Sequence, residues 1–269
     1  MKTVNFTSHA ACQDYLLHLA DNALILGQRN AQWCGHGPVL EEDLALANNS
    51  LDLIGQARLL YQHVADLRKD GRSTEDLLAY FRDVPDFKNY TLLELPHSTA
   101  LAPTTSGNRD YAVTIARNFL YSALMVGVWQ GLKGSADAQL AAIAAKSFKE
   151  TSYHLRHAHD WVLRLGDGTP ESHTRMQAAI NHLMPYTQEF WAPSAMETAA
   201  FKAGMGVDTR SLQADWNDMV DATLEQATLK RPPTGGFVPT GKHGVHSEHL
   251  GFVLAEMQCL ARAHPQAVW

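Results

Sequence analysis

The chain has 269 residues, 45% of them hydrophobic and 19% charged, which are the proportions of a globular protein with a sizeable core. Its 28 acidic and 22 basic residues leave a net charge of −6. That balance argues against nucleic acid or an anionic membrane as a partner, because both are met by basic surface. Three cysteines (Cys12, Cys34, Cys259) are odd in number and far apart, which fits a reducing compartment and gives no disulfide or zinc pattern.

The opening "MKTVNFTSHAACQDY" has no apolar signal core. A first helix is predicted over roughly 9–31, with Leu16, Leu19, Ala23 and Leu26 on one stripe. After the turn "GHGP" at 35–38, a second helix over 40–68 carries Leu46, Asn49, Leu53, Gln56 and Leu60 on one stripe. Its second apolar stripe (Leu44, Ala47, Leu51, Ile54) predicts burial on two sides. A short helix at 74–81 leads into an irregular stretch ending in "LPH", and "APTTSGN" at 102–108 is a turn.

The helix predicted over 109–133 places Ile115, Phe119, Ser122, Val126 and Trp129 along one line. The next, over 137–165, runs Leu140, Ala144, Ser147, Thr151, His154, Ala158, Trp161, Leu165. Further helices are predicted at 171–190, 194–204, 211–228 and 246–263, separated by "GDGTP" and "RPPTGGFVPTGKHG". Spacing that alternates between 3 and 4 marks an inward seam of an antiparallel bundle. The expectation is an all-α chain forming one domain over 1–269, a four-helix bundle with additional C-terminal helices. The longest apolar stretch, "YSALMVGVW" at 121–129, is too short to span a bilayer, so a cytoplasmic location is expected.

Bundle cores of the ferritin-like kind hold two metals, with a carboxylate from each of two helices and a Glu-x-x-His pair from each of the others. Here the one Glu-x-x-His is Glu94-Leu95-Pro96-His97. Pro96 bars a helix interior, so the pair reads as a coincidence in a loop. Glu150 and His154 share a face, but the seam passes through Thr151 and His154 and leaves Glu150 at its edge. The inward positions Leu26, Leu53, Gln56, Ser122 and Thr151 are not first-choice ligands for iron or manganese. His154 is then expected to be a buried or half-buried histidine hydrogen-bonded to neighbours such as Gln56, Ser122 or Thr151. The rival reading is an active di-metal oxygenase with a rearranged set: Glu150, His154, Glu94 and Glu41 or Glu42.

Other features take plainer readings. His243, His246, Glu248, His249 and Glu256 cluster around the last helix, where Ser247 and Glu248 read as its N-terminal cap. The Gly-rich loop before it lacks phosphate-loop spacing. Trp33, Cys34 and His36 read as a helix–helix corner rather than a nucleophilic pair, and "EED" at 41–43 as acidic residues at a helix start. Trp129, Trp161, Trp191 and Trp216 read mostly as core, with some available to a broad apolar interface.

Three stretches carry a family resemblance: "QWCGHGPVLEEDLALANNSLDLIGQAR" (32–58), "AAIAAKSFKETSYHLRHAHDWVLRLGDGT" (141–169) and "TGKHGVHSEHLGFVLAEMQ" (240–258). From about residue 10 to its terminal Trp269, the chain resembles the PaaC family of the bacterial phenylacetyl-CoA 1,2-epoxidase. The resemblance implies a ferritin-like, structural subunit of a multicomponent monooxygenase in aerobic phenylacetate catabolism. It implies no cofactor in this chain and a di-iron site in its partner, the related catalytic subunit. It also implies other epoxidase subunits beside them, and allows a homodimer of the isolated chain. Set against the catalytic relative's pattern, the six ligand positions fall on Leu26, Leu53, Gln56, Ser122, Thr151 and His154. Of those six, His154 alone keeps a ligand side chain.

Overall fold

A computed structural model describes residues 6–99 and 109–267. The turn read at 102–108 and the terminal Trp269 lie outside the described residues. Among these, the chain forms ten α-helices and no strand. They are α1 (Phe6–Ala31), α2 (Leu40–Arg68), α3 (Glu75–Tyr80), α4 (Thr91–Glu94), α5 (Tyr111–Leu132), α6 (Ala138–Gly166), α7 (Pro170–Leu183), α8 (Ala195–Lys202), α9 (Gln213–Gln226) and α10 (Glu248–Ala263). Short 3-10 turns sit at Val84–Asp86, Met184–Trp191, Thr209–Leu212 and Gly241–His243. The helices fall into two compact units, Met1–Leu95 with Thr240–Trp269, and Pro96–Pro239.

The first unit is built on the long pair α1 and α2. The predicted α2 stripe is buried throughout, with Leu46, Asn49, Leu53, Gln56 and Leu60 at most 3% exposed. Gly27 lets the helices approach closely there, since a Cβ on it would lie 3.3 Å from the Leu53 Cβ. The second apolar stripe of α2 is largely open among the described residues: Leu44 is 56%, Leu51 67% and Ile54 37% exposed, and Ala47 is half-buried. Helix α1 is buried from Tyr15 to Gly27 on every side, although it carries His18, Asp21 and Asn22. Their polar atoms are met by the segment after α3. The Lys88 carbonyl lies 2.6 Å from His18 Nδ1, the Lys88 N–H donates to Asp21 and the Tyr90 N–H to Asn22. This segment, read from sequence as irregular, is thereby fixed, and it closes in the four-residue helix α4. Helix α10 returns against α1, α3 and α4.

The second unit is built on α5 and α6, with α7 against both and α9 alongside. Asp110 caps α5 by accepting from Ala112, and Asp137 caps α6 by accepting from Leu140. Taken whole, α5 is long and apolar enough to cross a membrane, longer than the nine residues singled out by sequence. It is a core helix, with 89% of its most apolar window buried. On α6 the predicted seam holds through Ala158 and then drifts: Val162 and Gly166 are buried in place of Trp161 and Leu165. A 3.6-residue turn falls behind a 3.5-residue repeat by about 20° per heptad, which moves the buried line by one position along a helix of this length. The helix predicted over 171–190 ends at Leu183, because Pro185 lacks the N–H that an α-helix needs and the backbone tightens to a 3-10 turn. Trp216 of α9 is buried and donates its indole N–H to the Leu120 carbonyl at 3.1 Å.

Candidate functional site

The six positions at which the sequence led us to look for a metal are buried, three in each unit. In the first, Leu26 is 1%, Leu53 3% and Gln56 2% exposed. In the second, Ser122 is 2%, Thr151 3% and His154 3% exposed. Two aliphatic side chains, an amide, two hydroxyls and one imidazole do not fit a di-iron centre, which takes carboxylates and imidazoles. His154 lies edge-on to Tyr153, with ring centroids 6.3 Å apart.

The rearranged set is divided among other partners. Glu150 pairs with Lys146 one helical turn away. Glu41 is exposed and Glu42 is buried in the first turns of α2. Glu94 and His97 share no helix, since α4 ends at Glu94. His97 meets the Thr114 hydroxyl at 2.7 Å, while Glu94 is committed to the other end of the chain. Among the described residues no three His, Cys, Asp or Glu side chains gather in a way that could hold a metal ion.

Glu94 is the centre of a buried cluster in the first unit and is 0% exposed. It accepts from Asn89 Nδ2 at 2.9 Å and from the Ser247 N–H, and lies 2.7 Å from His246 Nδ1. The other ring nitrogen of His246 lies 2.9 Å from the Phe87 carbonyl. Both ring nitrogens of His246 are therefore engaged, one by the Glu94 side chain and one by backbone. The Glu94 backbone carbonyl accepts from Arg29. Burial pulls the Arg29 guanidinium down to about 10, against the opposing pull of Glu256 and Glu94, so it stays charged at neutral pH. These groups fasten the entry of α10 to α4. They also correct the reading of the cap: Ser247 holds the N-cap position, but its hydroxyl makes no capping bond, and Glu94 fixes its backbone instead.

A second cluster surrounds Asp21, whose carboxylate accepts from Tyr61, Lys88 N–H and both terminal nitrogens of Arg82. Burial first, and then the Asp21 charge, push the Tyr61 phenol well above its ordinary value, which keeps it a donor. Burial opposes the Arg82 charge, but Asp21 and Tyr61 outweigh it and hold its proton more tightly than usual. Sequence reading missed both clusters. Their signal is charge inside segments that pack all round, visible once α1 is seen to be buried. The remaining sequence candidates are dispersed: Cys34 and His36 are both exposed, and Cys259 is exposed.

The described residues are helical throughout their regular structure, and the two buried charge clusters join segments of the first unit to one another. The chain belongs to the phenylacetic acid catabolic protein family, whose profile it matches over residues 2–269. It is 44% identical to the C subunit of 1,2-phenylacetyl-CoA epoxidase from Escherichia coli (strain K12), over 95% of this chain and 98% of that relative.

Proposed function

We propose that this chain is the structural, non-catalytic subunit of a multicomponent phenylacetyl-CoA epoxidase, which pairs with and stabilises a di-iron catalytic subunit. The reading takes the chain as one cytoplasmic ferritin-like domain, a four-helix bundle with extra helices after it, without a metal of its own. The observation that carries it is the set Leu26, Leu53, Gln56, Ser122 and Thr151. These are buried side chains without a ligand carboxylate, at positions where the resemblance expects ligands. Four carboxylates facing one another without a metal would repel and lose hydration, so a neutral set lets a bundle close without one. The chain's contribution to catalysis is then linkage: by binding its catalytic partner in the folded form, it stabilises that fold.

The test is reconstitution of phenylacetyl-CoA epoxidation with the other subunits, with and without this chain. Turnover is expected to require the chain and to be unchanged, within about twofold, when His154→Ala replaces it. Loss of turnover with His154→Ala, in a variant that still assembles, would overturn the reading.

A further inference from the structure

We propose that the hollow between α3 and the C-terminal half of α10 is a binding site for a small organic cation, an ammonium group carried on an aromatic body. The hollow measures about 470 Å³, within the range of about 300–1,000 Å³ usual for small-molecule sites. Its walls are set by the packing of the two helices. Leu78 and Ala79 are buried and fix the rotation of α3, so that Asp76 and Tyr80, four residues apart, share its side toward the hollow. On α10, Met257, Leu260 and His264 follow at spacings of 3 and 4 and form the facing wall. Gln258 donates to the Ala79 and Arg82 carbonyls at 3.3 and 3.1 Å, which fastens α10 to the end of α3. The two walls are thus held in place without a guest.

The class of occupant follows from charge and shape. Phe81, Met257 and Leu260 give an apolar lining, and Leu260 is 54% exposed. A thioether and an aromatic ring in one lining favour an aromatic guest. The polar groups are the Asp76 carboxylate and the Tyr80 phenol. Burial first, and then the Asp76 charge, raise the Tyr80 phenol, so it stays protonated and offers a cation its ring and oxygen. The guanidiniums nearby are spent on other carboxylates: Arg58 pairs with Glu75 at 3.6 Å and Arg262 with Asp83 at 2.9 Å. Among the described residues no cation pairs with Asp76. A second hollow, of about 260 Å³, shares Asp76 and Tyr80 and adds Arg58 and Glu75. The Gln62 hydrogen bond first of all holds Glu75 below its ordinary value, so it is charged at neutral pH. Across the two hollows, two carboxylates therefore face one guanidinium. A cation is drawn to such a site, and an anion of similar shape is repelled. The ammonium is placed between Asp76 and the Tyr80 ring, with its aromatic body over Phe81, Met257 and Leu260. The site lies within the first unit and does not depend on the proposed role in epoxidation.

Isothermal titration calorimetry on the full chain, with benzylamine as the probe, is the test. Binding is expected with a Kd at or below about 1 mM. Benzoate, an aromatic body with the opposite charge, is expected to bind at least ~10-fold more weakly. Asp76→Asn is expected to weaken benzylamine at least ~10-fold, and Leu260→Lys, which brings a rival ammonium to the apolar lining, by a similar factor. Glu41→Gln removes the same charge from the start of α2 and should leave binding unchanged. All three side chains are exposed, so helical content by circular dichroism should not move. Should Asp76→Asn disturb α3, Leu260→Lys decides. No binding at about 10 mM benzylamine, equal binding of benzoate, Leu260→Lys as tight as wild type, or the same effect from Glu41→Gln as from Asp76→Asn would each overturn the proposal.

Discussion

Arg82 shows what a single buried charge does in this protein. Its guanidinium reaches over α1 to Asp21, a carboxylate with no exposure, while stacking its charge over the Phe87 ring at 4.2 Å. Arg82→Met would keep the bulk and leave Asp21 buried without its counter-ion, a change expected to cost about 3–5 kcal/mol. Urea unfolding followed by circular dichroism measures it, and a loss under about 1 kcal/mol would mean that Tyr61 and the Lys88 N–H suffice. His249 sets a pH dependence. Burial, with the Arg29 charge second, lowers it from its ordinary 6.5. As pH falls, the unfolded chain takes up this proton before the folded chain does, so stability declines on acidification. His249→Gln is expected to lose less stability than wild type between about pH 7 and about pH 5 in the same unfolding assay. None of these pairings was legible from sequence: Asp21 and Arg82 are 61 residues apart, and Glu94 and His246 are 152 apart. No local pattern encodes a charge pair across such separations.

Helices are where sequence and structure agree most closely, because the pattern and the element share one period. The α2 stripe and most of the α6 seam are buried as read, and Ser147, Thr151 and His154 fall on the inward line of α6. What failed at this scale was short or interrupted. Helix α4 spans four residues, too few to show a period, and Pro185 turned the end of a predicted helix into a 3-10 turn. The close fit of α6 to the end of α9 gives a prediction. A Cβ on Gly166 would stand 2.5 Å from the Ala227 carbonyl oxygen and 2.7 Å from the Ala227 side chain. Gly166→Ala should therefore cost about 1–3 kcal/mol of stability by forcing backbone apart. An unchanged melting temperature would show that the contact yields freely.

At the scale of the molecule, the all-helical class and the metal question were both open to sequence reasoning, for different reasons. The class follows from periodic segments with caps and breaks between them. The candidate site was read through what its positions lack, and the structure buries each of the six. Of the two apolar sides read on α2, the chain's own core buries one and the second stays exposed, which leaves the sequence's hint of an apolar interface there as an expectation. A sequence pattern specifies an apolar face and not what covers it, and among the described residues Leu44, Leu51 and Ile54 stay exposed. The most direct test of the central claim is metal content of the untagged chain, expressed with supplemental iron and purified without chelators. The account predicts iron and manganese well below one per chain, in wild type and in His154→Ala alike. Close to two metals per chain, lost in His154→Ala, would contradict it and make this protein an oxygenase in its own right.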